Sequence, residues 1–336
     1  MKQDDANCGE SSGGLYGIQH VRVIGPFPVT ANLLDLLQRS NEEMRATVIP
    51  DISVIIPHYN DLAGLDRCLA MLGAQSFSAE RFEIVVADNN SPVGIGAVRQ
   101  TVGERARIVE APIQGAGPAR NAAVAASRGR ILAFIDSDCR PDPHWLECGI
   151  ATLGEGDIIG GRVDIVALDP SNPNPIEAFE MTFAFPIRDY VERKSFAVTA
   201  NMFVSRDIFD QVGPYRSTVA EDVDWCHRAV AMGYRLLYAD KVAVAHPARA
   251  DWPELARKWR RTTSETFALA IERPGGRWRW LAQCMLVLAS IGPHAAKILT
   301  TRRLPNARAR LGGLTTLFRI RWYRFVRGLE LMASRD

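Results

Sequence analysis

Two aspartates, Asp136 and Asp138, stand one residue apart directly after the apolar run Ile131-Leu132-Ala133-Phe134-Ile135. Alternate residues of an extended chain point to the same side, so both carboxylates leave the strand end together. Held that close they repel one another, unless a hard cation such as Mg²⁺ or Mn²⁺ lies between them and a ligand's phosphates. The stretch Cys139-Arg140-Pro141-Asp142-Pro143 reads as a turn and sets the pair at an exposed rim. A solvated strand end carries the same three letters, so the motif takes its meaning from its neighbours.

The elements that must position the pair become regular from Asp51 onward. Strands are expected at Ile52 to Ile56, Phe82 to Ala87, Arg107 to Ala111 and Ile131 to Ile135. Between them the pattern predicts helices from an Asp61 cap to Leu72, over Gly94 to Val102, and over Pro118 to Ser127 with Gly129 beyond its end. Such alternation implies an α/β fold with a mostly parallel, doubly wound sheet, which binds ligands at the carboxyl ends of its strands. Three groups then converge on one rim: His58-Tyr59-Asn60, Asp88-Asn89-Asn90-Ser91 and Asp136-Ser137-Asp138. Further along, strands are expected at Asp157 to Val166 and Thr199 to Val204, a turn at Ser171 to Pro175, and a helix over Glu221 to Ala231. One or two more strands fit Arg235 to Ala245. Ahead of the regular part lie a polar, Gly/Ser-rich tip over residues 1 to 14, a candidate strand Gln19 to Val29 and a candidate helix Leu33 to Met44.

With 336 residues, 47% hydrophobic and 23% charged, the chain suits a soluble α/β protein of one large domain or two smaller ones. Its net charge of +2 hides a segregation. Residues 277 to 336 hold twelve Lys or Arg and two acids, leaving 28 bases against 36 acids for the rest. Six cysteines show neither a CxxC pair nor metal-type spacing and read as reduced cytosolic thiols. No apolar leader segment is visible at the N-terminus, and there is no internal repeat.

Taken in order, Ser53-Val-Ile-Ile-Pro-His-Tyr-Asn60, Val85-Val-Ala-Asp-Asn-Asn-Ser91, Gly117-Pro-Ala-Arg-Asn121, Phe134-Ile-Asp-Ser-Asp138 and Glu221-Asp-Val-Asp-Trp225 closely resemble the family 2 glycosyltransferases. The resemblance spans roughly residues 51 to 250. It implies a GT-A nucleotide-diphospho-sugar fold, with a Rossmann-like central sheet and flanking helices. It also implies inverting transfer of a sugar from a nucleotide-sugar donor, usually a UDP-sugar, with a divalent Mg or Mn ion.

By that resemblance Asp88 accepts the uracil N3–H, against the alternative of a helix N-cap. Pro57, His58 and Tyr59 form the first loop against base and ribose; a packed or solvent-facing His58 fits as well. Arg120 reaches the base or diphosphate edge, or else forms an ion pair across its helix. Asp138 is the direct metal ligand and Asp136 lies nearer the ribose. His246 matches a position where relatives place a histidine near the metal, and a strand-end histidine without a role is the other reading. Asp222 is the general base that takes the acceptor's proton. Glu221 positions it or the acceptor, and Asp224 is a helix-terminus charge. Leu255-Ala-Arg-Lys-Trp259 departs from the Gln-x-x-Arg-Trp of processive relatives, which argues against a polymerase. Arg257, Lys258, Arg260 and Arg261 either clamp the diphosphate or form a solvated face.

The basic tail alternates with aromatics. The apolar stretch between Arg279 and Lys297 is too short to span a bilayer. Leu314 to Leu329 interleaves Phe318, Trp322, Tyr323 and Phe325 with Arg319, Arg321, Arg324 and Arg327. Aromatics on one face and arginines on the other suit an amphipathic helix on an anionic membrane; packing on the catalytic domain or a second subunit is the alternative. No nucleic-acid motif accompanies the charge. The expected organisation is an extension over 1–50, a catalytic domain over 51–255 with nucleotide and acceptor halves meeting near 150, and a membrane-associating helical region over 256–336. The expected enzyme sits at the cytoplasmic face and extends a glycan or lipid-linked acceptor in cell-surface or exopolysaccharide synthesis. A sugar nucleotidyltransferase or a silent nucleotide-sugar-binding scaffold remain as alternatives. The former expects a Gly-rich basic loop where Pro57-His58-Tyr59-Asn60 stands.

Overall fold

The computed structural model describes residues 49–334. The expected tip, the strand Gln19 to Val29, the helix Leu33 to Met44 and Cys8 lie outside them. Strands β1 (Ile52–His58), β2 (Phe82–Asp88), β3 (Arg107–Glu110) and β4 (Ile131–Ile135) pair in parallel in the order β3-β2-β1-β4. Helices α1 (Leu62–Gly73), α2 (Ile95–Val102) and α3 (Ala116–Ala126) connect them. Each forms where the pattern predicts. Ile52, Val54, Ile55 and Ile56 are fully buried, as a strand covered on both faces requires. Asp61 caps α1 by accepting the Gly64 N–H at 2.8 Å. Pro118 falls in the first turn of α3, where a missing N–H costs nothing.

Past β4 come β5 (Arg140–Pro141), α4 (Trp145–Leu153), β6 (Ile158–Val166), α5 (Pro175–Phe183), α6 (Ile187–Lys194), β7 (Asn201–Ser205), α7 (Arg206–Val212), α8 (Glu221–Ala231) and β8 (Leu236–Pro247). Here the sheet stops being parallel. β7 inserts antiparallel between β4 and β6, β6 runs parallel to β8, and the two-residue β5 closes the far edge. The result is one eight-stranded mixed sheet with helices about it, and residues 235 to 247 supply one long strand rather than two.

Asn201 organises this half. Fully buried, its Oδ1 accepts the Trp145 indole N–H at 2.8 Å, and its Nδ2 donates to the carbonyls of Arg162 and Val242 at 2.8 and 2.9 Å. Those carbonyls flank the register shift in β6 between Gly161 and Arg162. A Cβ on Gly161 would sit 2.3 Å from the Asn201 amide and 2.4 Å from the Val242 carbonyl, so glycine is required for the amide to reach both.

Four helices follow: α9 (Trp252–Ile271), α10 (Gly276–Ala289), α11 (Ile291–Thr300) and α12 (Ala307–Ala333). α9 runs unbroken through residue 255, and the described residues form one compact unit. A second apolar core, with Phe179, Leu255, Ile298, Leu317 and Ile320, joins α5 to α9, α11 and α12. Thr316 Oγ1 donates to the Pro175 carbonyl at 2.9 Å across that seam. The faces of α12 are not those its sequence suggests. Phe318 and Trp322 are exposed, whereas Arg321 is buried and Arg324 turns onto the Trp259 ring. The face packed on α5 and α9 carries Leu317, Ile320 and Tyr323 together with Arg321 and Arg324, whose long stems can be buried there while the small residues Gly313 and Thr316 allow close approach. Among the described residues no single helix is long and apolar enough to cross a membrane. α10 and α11 together, bent by 40°, reach that length and composition.

Replacing Asn201 by Ala strands the Trp145 N–H and two carbonyls. Urea denaturation should show a loss of roughly 3 kcal/mol; an unchanged midpoint would remove Asn201 as the organiser of this half.

Candidate active site

The rim at the ends of β1, β2 and β4 is built around buried polar groups. Asp88 is 3% exposed and His58 1%. His58 Nε2 accepts the Asp61 backbone N–H at 3.2 Å, which places the ring proton on Nδ1, 3.0 Å from Asp88 Oδ1. Ser91 adds its hydroxyl to Asp88 Oδ1 at 2.5 Å and its N–H to Oδ2 at 3.2 Å, while its Oγ accepts from Asn60 N at 2.9 Å. Three donors thus hold the Asp88 carboxylate and one oxygen keeps acceptor capacity. Next to it, Asn89 donates to the carbonyls of Ala111 and Ile113 and accepts from Gly115 N, fixing the loop ahead of α3. Pro57 is half-buried at the end of β1, and Tyr59 is exposed above the rim.

Asp136 is held from the side by Arg120, whose Nη2 donates to Asp136 Oδ1 at 2.7 Å and whose Nη1 donates to Glu221 Oε1 at 3.0 Å. Arg120 is 4% exposed. Burial works against its charge, but the two carboxylates outweigh that and raise its pKa. The ion pair expected as the alternative for Arg120 therefore forms, and it spans two elements rather than one helix surface. Gly117 makes this approach possible: a Cβ there would press on Tyr215 and Glu221 at 3.2 to 3.3 Å. Asn121, one residue past Arg120, holds both the N–H and the carbonyl of Tyr215 at 2.9 Å.

Asp138 lies 3.5 Å from His246 Nε2. His246 is buried, with its Nδ1 donating to the Pro247 carbonyl at 2.7 Å, so Nε2 offers its lone pair toward Asp138. A backbone carbonyl behind a ligating imidazole is the usual support of a metal-bound histidine. Burial raises the Asp138 pKa, with the Asp136 charge adding and His246 opposing. Cys139 Sγ lies within 4.8 Å of both donor atoms. Burial, then Asp136 and Asp138, push its thiol far from ionisation, and only a thiolate would ligate. Carboxylate oxygen and imidazole nitrogen form a donor set that fits Mn²⁺ or Mg²⁺.

At the start of α8, Asp222 is half-buried, and its one protein hydrogen bond among the described residues comes from the adjacent Val223 N at 2.9 Å. Burial, then the Glu221 charge, push its pKa up to about 7, with Arg120 opposing. That value suits a proton acceptor working near neutrality. Asp224, by contrast, is spent on Arg216 at 2.9 Å and Arg228 at 3.0 Å.

The glycosyl transferase family 2 profile matches residues 53–213. The chain is 34% identical over 220 residues to glycosyltransferase AglE of Haloferax volcanii, covering 63% of this chain and 71% of that protein. This chain belongs to glycosyltransferase family 2. It is also 28% identical over 225 residues to the pre-mycofactocin glycosyltransferase of Mycobacterium tuberculosis, covering 62% of the chain but 45% of that longer protein. In three dimensions it resembles the Pyrobaculum calidifontis mannosyltransferase PcManGT, solved with GDP-Man and Mn²⁺. That match has a TM-score of 0.56 at 18% identity and covers 90% of this chain and 95% of that one, a likeness of fold.

Within this family 2 transferase, Asp88, Asp136, Asp138, His246, Glu221, Asp222 and Arg120 gather on the expected rim. Others do not. Lys258 is committed to Glu180 at 3.0 Å, which also takes Arg249 at 3.0 Å. Burial opposes the Glu180 charge, yet Lys258 and Arg249 bring its pKa down to about 2. Arg261 lies 3.8 Å from Glu265 and Arg260 donates toward Tyr323. Sequence reasoning missed the hold of His58 and Ser91 on Asp88; the signal available was Ser91 three residues after Asp88, a side-chain-to-backbone turn spacing. It also missed Arg249, whose charge reaches Asp138, and Glu265, whose pKa burial raises to about 7 beside the Glu221 charge. Neither carries a local motif, since both arrive from the segment after β8.

Arg120→Met leaves Asp136 and Glu221 facing each other without a cation. The expected loss is about 3 kcal/mol in urea denaturation; a loss below about 1 kcal/mol would show that the bridge is dispensable.

Proposed function

We propose that this enzyme transfers a sugar, with inversion, from a nucleotide-diphospho-sugar, a UDP-sugar by the character of Asp88, to a hydroxyl of a glycan or lipid-linked acceptor. The observation that carries this reading is Asp222. It is a half-buried carboxylate with a pKa near 7, on the opposite arm of the Arg120 bridge from the Asp136–Asp138 pair.

Asp88 keeps an acceptor position for an imide N–H of the base, and His58 and Ser91 hold it in place. Asp222 takes the proton of the acceptor hydroxyl as its oxygen attacks the anomeric carbon and the bond from that carbon to the diphosphate breaks. Glu221, tied to Arg120 at 3.0 Å, sits beside Asp222 and, after burial, raises its pKa, which makes Asp222 a better base. Asp138 and His246, with Asp136 adjacent, would hold a divalent Mg or Mn ion, which stabilises charge on the departing diphosphate when bound. The Mn²⁺ complex of PcManGT supports this choice of ion.

The exposed apolar residues on the last three helices, Trp278, Met285, Leu286, Leu299, Phe318 and Trp322, support peripheral attachment to the cytoplasmic face of a membrane. In this reading the product is destined for the cell surface, such as an exopolysaccharide.

A nucleotide-sugar panel, UDP- against GDP-sugars with Mn²⁺, Mg²⁺ or EDTA, should show donor hydrolysis that EDTA abolishes. Because the base acts when ionised, kcat/KM should rise with pH and level off above about 7. Asp222→Asn should lower it by about a thousandfold while nucleotide still binds. Normal turnover by that variant would remove Asp222 as the base. In fractionated cells the protein should stay with membranes through a high-salt wash and leave with detergent; a soluble monomer would overturn the membrane placement.

A further inference from the structure

Away from the rim, four basic groups gather where acids are scarce. Arg321 and Arg324 occupy the inward face of α12, and His294 and Lys297 lie on α11. The Arg324 guanidinium sits 3.8 Å from the Trp259 ring centroid, and among the described residues it makes no hydrogen bond or ion pair; its Nε is buried and unpartnered. Arg321 is 9% exposed, its single polar contact is His294 Nδ1 at 3.1 Å, and its Nε is likewise unpartnered. Lys297 Nζ lies 5.2 Å from the Phe183 ring, whose edge meets the His294 ring at 5.1 Å. Burial, then Arg321, bring the Arg324 pKa down to about 9, and burial, then Arg321 and Lys297, lower that of His294. Lys297 is exposed and feels the Asp189 charge, but Arg321 is buried and Arg324 half-buried, with no carboxylate among the described residues paired to either. Holding those two like charges together costs free energy that a bound anion would remove.

The Tyr190 phenol on α6 lies within electrostatic reach of both this cluster and Asp222, feeling the Arg324 and the Asp222 charges, so one side chain links the two. The outer faces of the same two helices expose Leu299, Phe318 and Trp322. An amphiphile seated on those faces would find cations on the inner side.

We propose that Arg321, Arg324, His294 and Lys297 bind the phosphate or diphosphate head of a lipid-linked acceptor and so present its hydroxyl-bearing end toward Asp222. The site rests on the transferase reading above for its role, and it stands on its own as an anion site. Guanidinium groups suit phosphate because their planar donors match its oxygens.

The test uses the full chain and the tryptophan fluorescence that Trp259 reports beneath Arg324. It is titrated with dodecyl phosphate, sodium pyrophosphate, dodecanol and phosphatidylglycerol vesicles. Dodecyl phosphate should bind the native protein, bind Arg324→Gln and Arg321→Gln about tenfold more weakly or worse, and bind the exposed-site control Arg319→Gln normally. Pyrophosphate showing the same variant dependence supports the site and assigns its affinity to the head. Dodecanol binding as tightly as dodecyl phosphate overturns it, as does equal binding by all variants. Variant dependence seen with the vesicles alone also overturns it, in favour of a membrane-headgroup surface. Because an unpaired buried charge is removed, unliganded Arg324→Gln should melt no lower than the native protein. If it unfolds instead, Arg324→Lys and Arg321→Gln decide, and native binding by both sinks the proposal. Donor hydrolysis by the native protein is measured separately, so its absence counts against the transferase reading while the titrations judge the anion site.

Discussion

One buried guanidinium ties the two halves of this enzyme together. Arg120 starts on the helix that follows the third parallel strand, yet its two forks end on Asp136 at the end of β4 and on Glu221 at the start of α8. Neither carboxylate could sit so near the other, or near Asp138 and Asp222, without that cation between them. The same side chain therefore sets two chemical conditions at once. It pairs with Asp136 at 2.7 Å, and it opposes, without cancelling, the forces that raise the Asp222 pKa. Were Arg120 closer to Asp222 than to Glu221, it would draw the Asp222 pKa down. Bonded to Glu221, it leaves Asp222 near neutrality.

A second layer of constraint lies at the Asp88 end of the rim. Asp88 and His58 face each other because β1 and β2 run in parallel with those two residues in register. Backbone donors on either side then decide the chemistry: the Asp61 N–H takes His58 Nε2, and the imidazole proton is forced toward Asp88. The carboxylate is thus held by groups that cannot follow a ligand, which is pre-organisation paid in buried polar contacts rather than in strain.

The parallel half was legible because each of its strands is covered on both faces, so its apolar runs are continuous, and Asp61, Pro118 and Gly129 mark the helix ends nearby. In the later half the strands and the helix Glu221 to Ala231 also form where expected, but their order and direction in the sheet were not legible, for a physical reason. β7 reaches its place between β4 and β6 only by crossing the sheet, and what holds it there is Asn201 bonding to Trp145, Arg162 and Val242. No short-range pattern encodes a bond between residues 41 or 56 positions apart. In the site the same division holds. Asp88, Asp136, Asp138 and Asp222 sit in local motifs and were named from them, whereas Arg249 and Glu265 reach the rim from far off in sequence and were not.

The charge segregation takes on a different meaning once the faces of α12 are known. From sequence the aromatics formed one face and the arginines the other, on an anionic membrane or packed against protein. Folding mixes the two instead: Phe318 and Trp322 are exposed with Arg319, while Tyr323 and Phe325 pack inward beside Arg321 and Arg324. A tryptophan or phenylalanine at the surface loses only apolar contact with its own chain, which an apolar neighbour can restore. An arginine driven inward must find an anion, an aromatic face or neither, and Arg324 finds only Trp259. The acidic rim and the cationic inner face are thus two charge sets that each keep a partner of opposite character, Arg120 for Asp136 and Glu221 and the Trp259 ring for Arg324, and the Tyr190 phenol lies within electrostatic reach of both. A substrate carrying phosphate at one end and a hydroxyl at the other is the kind of molecule that would satisfy the second set while delivering its proton to the first.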